Sequence, residues 1–208
     1  MHHWNWQIQN QEYLKNTITR CKREEILLPT FKQLKHPDTI SQSLIDDLKK
    51  IGLQDTHPLN LFRINWCNDH IDGGIGDINY LEIPPEITGV KARIIGLVGK
   101  FFPTGAHKVG ATYGCLAPYM VAGKINPEYH KAVWPSTGNY CRGGVFNSNL
   151  LDVPSVAILP EEMSQERFDW LRERTDEVYA TPGCESNVKE IYDKCHEPVS
   201  YTHLRAHE

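Results

Sequence analysis

Apolar residues come in two textures along this chain. Up to about residue 90 they are sparse and irregular. In 10–23 (NQEYLKNTITRCKR), Tyr13, Leu14, Ile18 and Cys21 fall near helical spacing, which predicts a polar, moderately amphipathic helix. Ser41 is placed to cap a second helix, SQSLIDDLKKIG, which Gly52 would end. LNLFRINWC alternates enough to predict a strand. The stretch 68–89, NDHIDGGIGDINYLEIPPEITG, is rich in Gly, Pro, Asp and Asn and predicts mostly loop.

From residue 90 a regular rhythm sets in. VKARIIGLVG reads as a strand, broken by Pro103 and Gly105, and HKVGATYGCLAPYMVAG follows with helical character. KAVWP is a short strand, STGN a turn and YCRGGVFNSNLL a helix. VPSVAILP is a buried-strand run. Ser164 caps SQERFDWLRER, with Glu166 early and Arg172 and Arg174 late, as the helix dipole favours. DEVYAT is a further strand and CESNVKEIYDKC a further helix. Strands alternating with helices at short intervals predict an α/β fold of three layers, a parallel sheet flanked by helices. In such sheets ligands gather at the carboxyl ends of the strands, in the turns that open the helices. The informative turns are then PTGAHK and PSTGN.

The composition is that of an ordinary globular protein: 208 residues, 40% apolar and 23% charged. Net charge is −4, so no overall basic field recruits nucleic acid or an anionic membrane. No run reaches the ~18 apolar residues that span a bilayer, and MHHWNWQIQN lacks the apolar core of a signal peptide. A cytoplasmic protein is expected. Six cysteines without a CxxC pair are expected to be free thiols. Asp69, His70 and Asp72 are metal-ligand types, but their spacing inside a turn-rich stretch fits turn chemistry, and no metal is expected. Gly73, Gly74 and Gly76 are read as part of that loop. An NAD-binding domain would suit the βα texture, but no GxGxxG follows a strand.

Two turns can carry chemistry. Lys108 stands where a helix should begin, next to the positive end of its dipole. An amine held there and partly desolvated is a nucleophile towards an aldehyde. The bland alternative is a solvated lysine. In Ser136, Thr137, Gly138 and Asn139, backbone N–H groups and hydroxyls make a site for an anion such as a carboxylate, and Asn139 offers both a donor and an acceptor. A plain helix cap would use the same residue types.

Taken together, PTGAHK and, about thirty residues on, a strand followed by STGN resemble the pyridoxal-phosphate enzymes of the tryptophan synthase β, cysteine synthase and threonine dehydratase superfamily, fold type II. The resemblance covers roughly residues 90–195 and implies a truncated fold of that type. It implies that Lys108 forms the Schiff base with pyridoxal 5'-phosphate. It further implies that Ser136, Thr137, Gly138 and Asn139 bind a substrate carboxylate, with Asn139 also on the phenolic oxygen of the cofactor. His107 precedes the lysine, as in several branches, where it would tune its proton or simply be packed. The implied reaction is β-elimination or β-replacement on a serine-like or cysteine-like α-amino acid. The alternatives are an ammonia-lyase or dehydratase acting on threonine-like or diaminopropionate-like substrates, or a non-catalytic binding module. The implied partner is a second copy of the protein, a homodimer.

The chain also departs from that pattern. Gly110 stands where many relatives have arginine. YCRGG brings Cys141 and Arg142 where many have only small residues; these two are read as part of a capped helix with an exposed arginine. The glycine-rich phosphate loop and the partner of the pyridine nitrogen, both later in the family, are not found. The rhythm stops after Cys195, and VSYTHLRAHE resembles translated adaptor read-through. The expected organisation is therefore an N-terminal extension and start of the catalytic body over 1–89, the lysine-bearing α/β region over 90–198 and a non-native tail over 199–208. Such an N-terminal fragment is expected to be inactive and, with apolar helix faces uncovered, poorly soluble.

Overall fold

The computed structural model describes residues 7–175, 177–196 and 202–205. Its first helix, α1 (Gln11–Arg23), is capped by the Asn10 side chain, which accepts from the N–H groups of Glu12 and Tyr13. The chain divides into two compact units: Pro29–His107, and Met1–Leu28 together with Lys108–Glu208.

In the Pro29–His107 unit, α2 (Phe31–Lys35) opens with a capping box formed by Thr30 and Gln33. α3 (Gln42–Leu48) begins after Ser41 as expected, although the Ser41 side chain makes no cap hydrogen bond. The strand expected in LNLFRINWC is instead a 3₁₀ helix, Pro58–Arg63. Pro58 pre-sets its first turn, and Asn60, Leu61, Phe62 and Arg63 are buried one after another, which a half-exposed strand does not allow. Leu48, Ile40 and Phe62 form the local core.

Arg63 is 2% exposed, and carbonyl groups satisfy its whole guanidinium. Nε donates to Gly73 O (2.9 Å), Nη1 to Ile51 O (2.8 Å) and Asn60 Oδ1 (2.9 Å), and Nη2 to Leu48 O (2.7 Å) and Gly73 O (2.6 Å). Burial lowers its pKa. Gly73 has φ +75°, and a Cβ there would stand 2.7 Å from Arg63 Nη2, so glycine is required on both counts.

The apolar run VKARIIGLVG is not part of the parallel sheet. β1 (Tyr80–Ile83) precedes the short α4 (Pro85–Thr88). β2 (Ile94–Leu97), cut from that run, pairs antiparallel with β1, Tyr80 opposite Leu97 and Ile83 opposite Ile94. Tyr80, Leu81, Ile94, Ile95 and Leu97 remain exposed. Exposed apolar surface was expected on helix faces; in this unit Phe31 of α2 and Ile87 of α4 are exposed, and the ribbon adds to them.

In the other unit the βα rhythm is realised. α5 (Lys108–Val121), β3 (His130–Pro135), α6 (Asn139–Leu150), β4 (Ser155–Pro160), α7 (Gln165–Arg172), β5 (Glu177–Thr181), α8 (Val188–His196) and β6 (Thr202–Arg205) follow in turn. The strands form one parallel sheet in the order β5-β4-β3-β6. Alternation along β3 sorts the layers. Trp134 faces α6, donating from its indole N–H to Ser148 Oγ at 2.9 Å. Val133, with Val156 and Ile158 of β4, packs on Ile191 and Cys195 of α8. α7 lies on the α6 side, where Trp170 stacks on Phe146 at 6.5 Å. The fold is thus α/β, a parallel sheet between helical layers. The core is dense: Val145, Phe146, Leu150, Leu151, Ala157, Leu159 and Leu171 are fully buried, each large side chain contributing about 1.5–3 kcal/mol. None of the six cysteines is in a disulfide. The tail proposed for 199–208 lies outside the described residues except for the β6 segment.

Candidate functional site

Lys108 is the first residue of α5, and Asn139 the first of α6. The two helix starts are brought together by what α6 lacks. A Cβ on Gly143 would stand 2.9 Å from Val109 N and 3.2 Å from Lys108 C, so only a glycine lets the backbone of α5 lie against α6 there. Asn147, fully buried one turn further on, donates from Nδ2 to Val109 O (2.6 Å) and to Thr112 Oγ1 (2.7 Å). Lys108 and Val109 meet Gly143, while Thr112 meets Asn147. The contacts advance in step, so the two helices run the same way. The start of α6 therefore lies about one helical turn, roughly 5–6 Å along the axis, beyond the Lys108 backbone.

The turn 136–139 leaves the carboxyl end of β3. The Ser136 N–H donates to Ile158 O at 3.1 Å, tying the turn to β4. Gly138 is the N-cap of α6, with no side-chain cap hydrogen bond. The Gly138 N–H instead makes a long bond, 3.4 Å, to Ser136 Oγ, and Thr137 Oγ1 reaches Glu185 Oε1 at 3.5 Å. Arg167 of α7 donates from Nη1 to Thr137 O at 2.6 Å. The first N–H groups of α6 have no acceptor within the helix, and the dipole makes this end positive.

The side chains of Lys108 and Asn139 are both exposed. The partial desolvation expected of Lys108 is thus not supplied by the described residues. His107 belongs to the Pro29–His107 unit, where its ring stacks on Trp66 at 5.7 Å. The turn before it holds Thr104 at φ 66° and Gly105 at φ 73°; a left-handed β-branched residue is a costly choice. Cys141 is buried in the first turn of α6, and burial pushes its thiol up to about 12, so it is a protonated core residue. Arg142 is not the exposed arginine expected: it is half-buried with its guanidinium 4.4 Å from the Trp170 ring centre.

Gly143, Asn147 and Arg167 were not singled out from the sequence. The Gly143–Gly144 pair inside a helical run carried a signal, since glycine there marks close approach of another backbone or ring. Asn147 and Arg167 carried none, because each acts on a segment about thirty residues or more away.

Other candidates resolve into structure. Asp69 Oδ1 accepts from the Ile71 N–H at 2.7 Å, and Asp72 Oδ1 from the Gly74 N–H at 2.8 Å, which is turn chemistry. Asp72 also pairs with Lys49 at 2.6 Å, and His70 stacks on Phe101. Among the described residues no cluster could hold a metal ion, and no helix is long and apolar enough to cross a membrane. A cavity of about 410 Å³ lies at the amino end of β4, the opposite end of the sheet from the 136–139 turn. Its arginines are neutralised: Arg20 by Asp152, Arg172 by Asp169 and Arg174 by Glu173.

An exposed amine and an exposed amide at one end of a helix pair, beside N–H groups and hydroxyls, suit the aldehyde and ring of pyridoxal phosphate and an amino acid carboxylate. Among the described residues no glycine-rich strand-to-helix loop offers itself to the phosphate.

No protein-family model matches the chain, and no curated protein matches it. Among similar solved structures is that of cystathionine beta-synthase from Bacillus anthracis, with TM-score 0.45 and 17% identity, over 61% of this chain. The match takes in 48% of that other chain, about half its length.

Proposed function

We propose that the chain is part of a pyridoxal-phosphate-dependent enzyme acting on an α-amino acid, by β-elimination or β-replacement on a serine-like substrate. The observation that carries this reading is the approach of the Lys108 backbone to Gly143. It sets the amine-bearing end of α5 beside the 136–139 turn at the carboxyl end of β3.

Lys108 would hold the cofactor through its aldehyde, and Asn139 would hydrogen-bond the ring oxygen. Bound there, the cofactor would supply an electron sink for the amino acid α-carbon. Ser136, Thr137 and the N–H groups opening α6 hold the substrate carboxylate and so fix which α-bond is presented for cleavage. Once the substrate amine has taken its place, the freed Lys108 Nζ would be positioned to take the α-proton. Whether water or a second nucleophile then enters at the β-carbon separates a lyase from a β-replacement enzyme.

The test is spectroscopic. Adding pyridoxal phosphate to the purified chain should raise a visible, saturable band. Borohydride should bleach it and leave the cofactor mass on the peptide containing Lys108. Lys108→Ala should show neither. A band that persists in Lys108→Ala, or label on other lysines only, overturns the assignment. A wild-type chain with no band defeats the reading for this chain.

A further inference from the structure

The 136–139 turn is held from outside by one cation. Arg167 sits in the first turn of α7, half-buried, and its Nη1 donates to Thr137 O at 2.6 Å and to Met163 Sδ at 3.4 Å. Its neighbours Arg172 and Arg174 have carboxylate partners, Asp169 and Glu173. Among the described residues no carboxylate pairs with Arg167. Among the described residues this positive charge has no ion pair, although the Glu185 carboxylate also reaches the turn, at Thr137 Oγ1.

The direction of the bond matters as much as the charge. In a trans peptide the C=O and the following N–H point opposite ways. By fixing Thr137 O on the α7 side, Arg167 turns the Gly138 N–H away from α7. Among the described residues its acceptor there is Ser136 Oγ at 3.4 Å, beyond the usual length of such a bond. A carboxylate oxygen could replace that weak acceptor with a charge-assisted one. The Gly138 backbone also lies close to the guanidinium: a Cβ there would be 3.8 Å from Arg167 Nη1.

We propose that Arg167 is the positioning residue of the carboxylate site. It holds the 137–138 peptide so that the Gly138 N–H faces an incoming α-carboxylate. This rests on the function proposed above, and deepens it.

The test compares wild type, Arg167→Ala and Arg167→Lys in two measurements. The first is amide hydrogen exchange of the chain alone. Peptides covering 136–142 should exchange severalfold faster in Arg167→Ala and recover in Arg167→Lys, while those covering 108–116 stay unchanged. The second is titration of the pyridoxal-phosphate band with L-serine. Arg167→Ala should bind the cofactor within about twofold of wild type, yet bind L-serine roughly tenfold more weakly, with most of the loss restored by Arg167→Lys. Unchanged exchange at 136–142, equal L-serine affinity, or an equal loss of cofactor and L-serine would each overturn the proposal. A wild-type chain that forms no band defeats the proposed function instead; the exchange comparison then still decides whether Arg167 holds the turn.

Discussion

Trp134 and Ser148 are joined by a bond from the indole N–H to the hydroxyl, 2.9 Å long, and it lays the Trp134 ring across Gly144. Both partners are buried, on the face of the sheet that α6 covers. A Cβ at Gly144 would overlap three atoms of the indole. Alanine is the better helix former by about 1 kcal/mol, yet the ring has nowhere to go.

Gly144→Ala should therefore destabilise the protein by about 1–3 kcal/mol or more, against its helix propensity. Ser148→Ala, which leaves a buried indole N–H without its acceptor, should cost about 1–3 kcal/mol. Urea denaturation followed by tryptophan fluorescence measures both. A stabilised Gly144→Ala would mean that α6 does not rest on Trp134.

Gly143→Ala attacks the other side of the same helix. Its Cβ would meet backbone rather than a mobile side chain, at 2.9 Å from Val109 N, so α5 must move. Cofactor binding should weaken roughly tenfold, with a stability loss of about 1–3 kcal/mol. Asn147→Ala loosens the same contact without crowding it, and should speed hydrogen exchange at 109–113. If Gly143→Ala binds pyridoxal phosphate as wild type does, the approach of α5 to α6 does not set the site.

In the Pro29–His107 unit, Arg63→Lys should behave as a disruptive change. An ammonium has three donors and cannot reproduce a fork that satisfies Leu48 O, Ile51 O, Asn60 Oδ1 and Gly73 O together. Carbonyl groups left buried and unpaired cost about 1–3 kcal/mol each. Limited proteolysis should find new cleavage within 68–79, and thermal melting a lower midpoint; an unchanged digest would argue against this role.

Cys141 predicts an alkaline limit. Its thiol is raised to about 12 when folded, whereas an unfolded thiol titrates near ~8.5. The contribution is full below the unfolded value and is lost as pH climbs from there towards 12, because only the unfolded chain then readily gives up the proton. Stability should fall above about pH 9, and Cys141→Ala should flatten the decline. At pH 8 Cys141 should resist iodoacetamide until the chain is denatured, as peptide mass mapping would show.

The sequence by itself determined the local structure from Lys108 to His196, because each piece is set by neighbours within a few residues. Apolar runs such as VPSVAILP gave strands, and α5, α6 and α7 began at the predicted turns, although Ser164 makes no cap hydrogen bond and α8 starts at Val188, four residues later than CESNVKEIYDKC predicted. It also marked Lys108 and the 136–139 turn by residue type. It misplaced VKARIIGLVG and LNLFRINWC. An apolar run does not say whether it will join a buried sheet or an exposed hairpin, and Pro58 with a row of buried residues outweighed an alternating pattern.

Only the tertiary structure decided which segments meet. Gly143 against Val109, Trp134 across Gly144, Asn147 on Thr112 and Arg167 on Thr137 O all join residues 10 to 35 places apart. Such pairings follow from how whole helix faces are buried against the sheet and against each other. No local spacing encodes that, so the residues that hold the candidate site came to light only once the layers were in place.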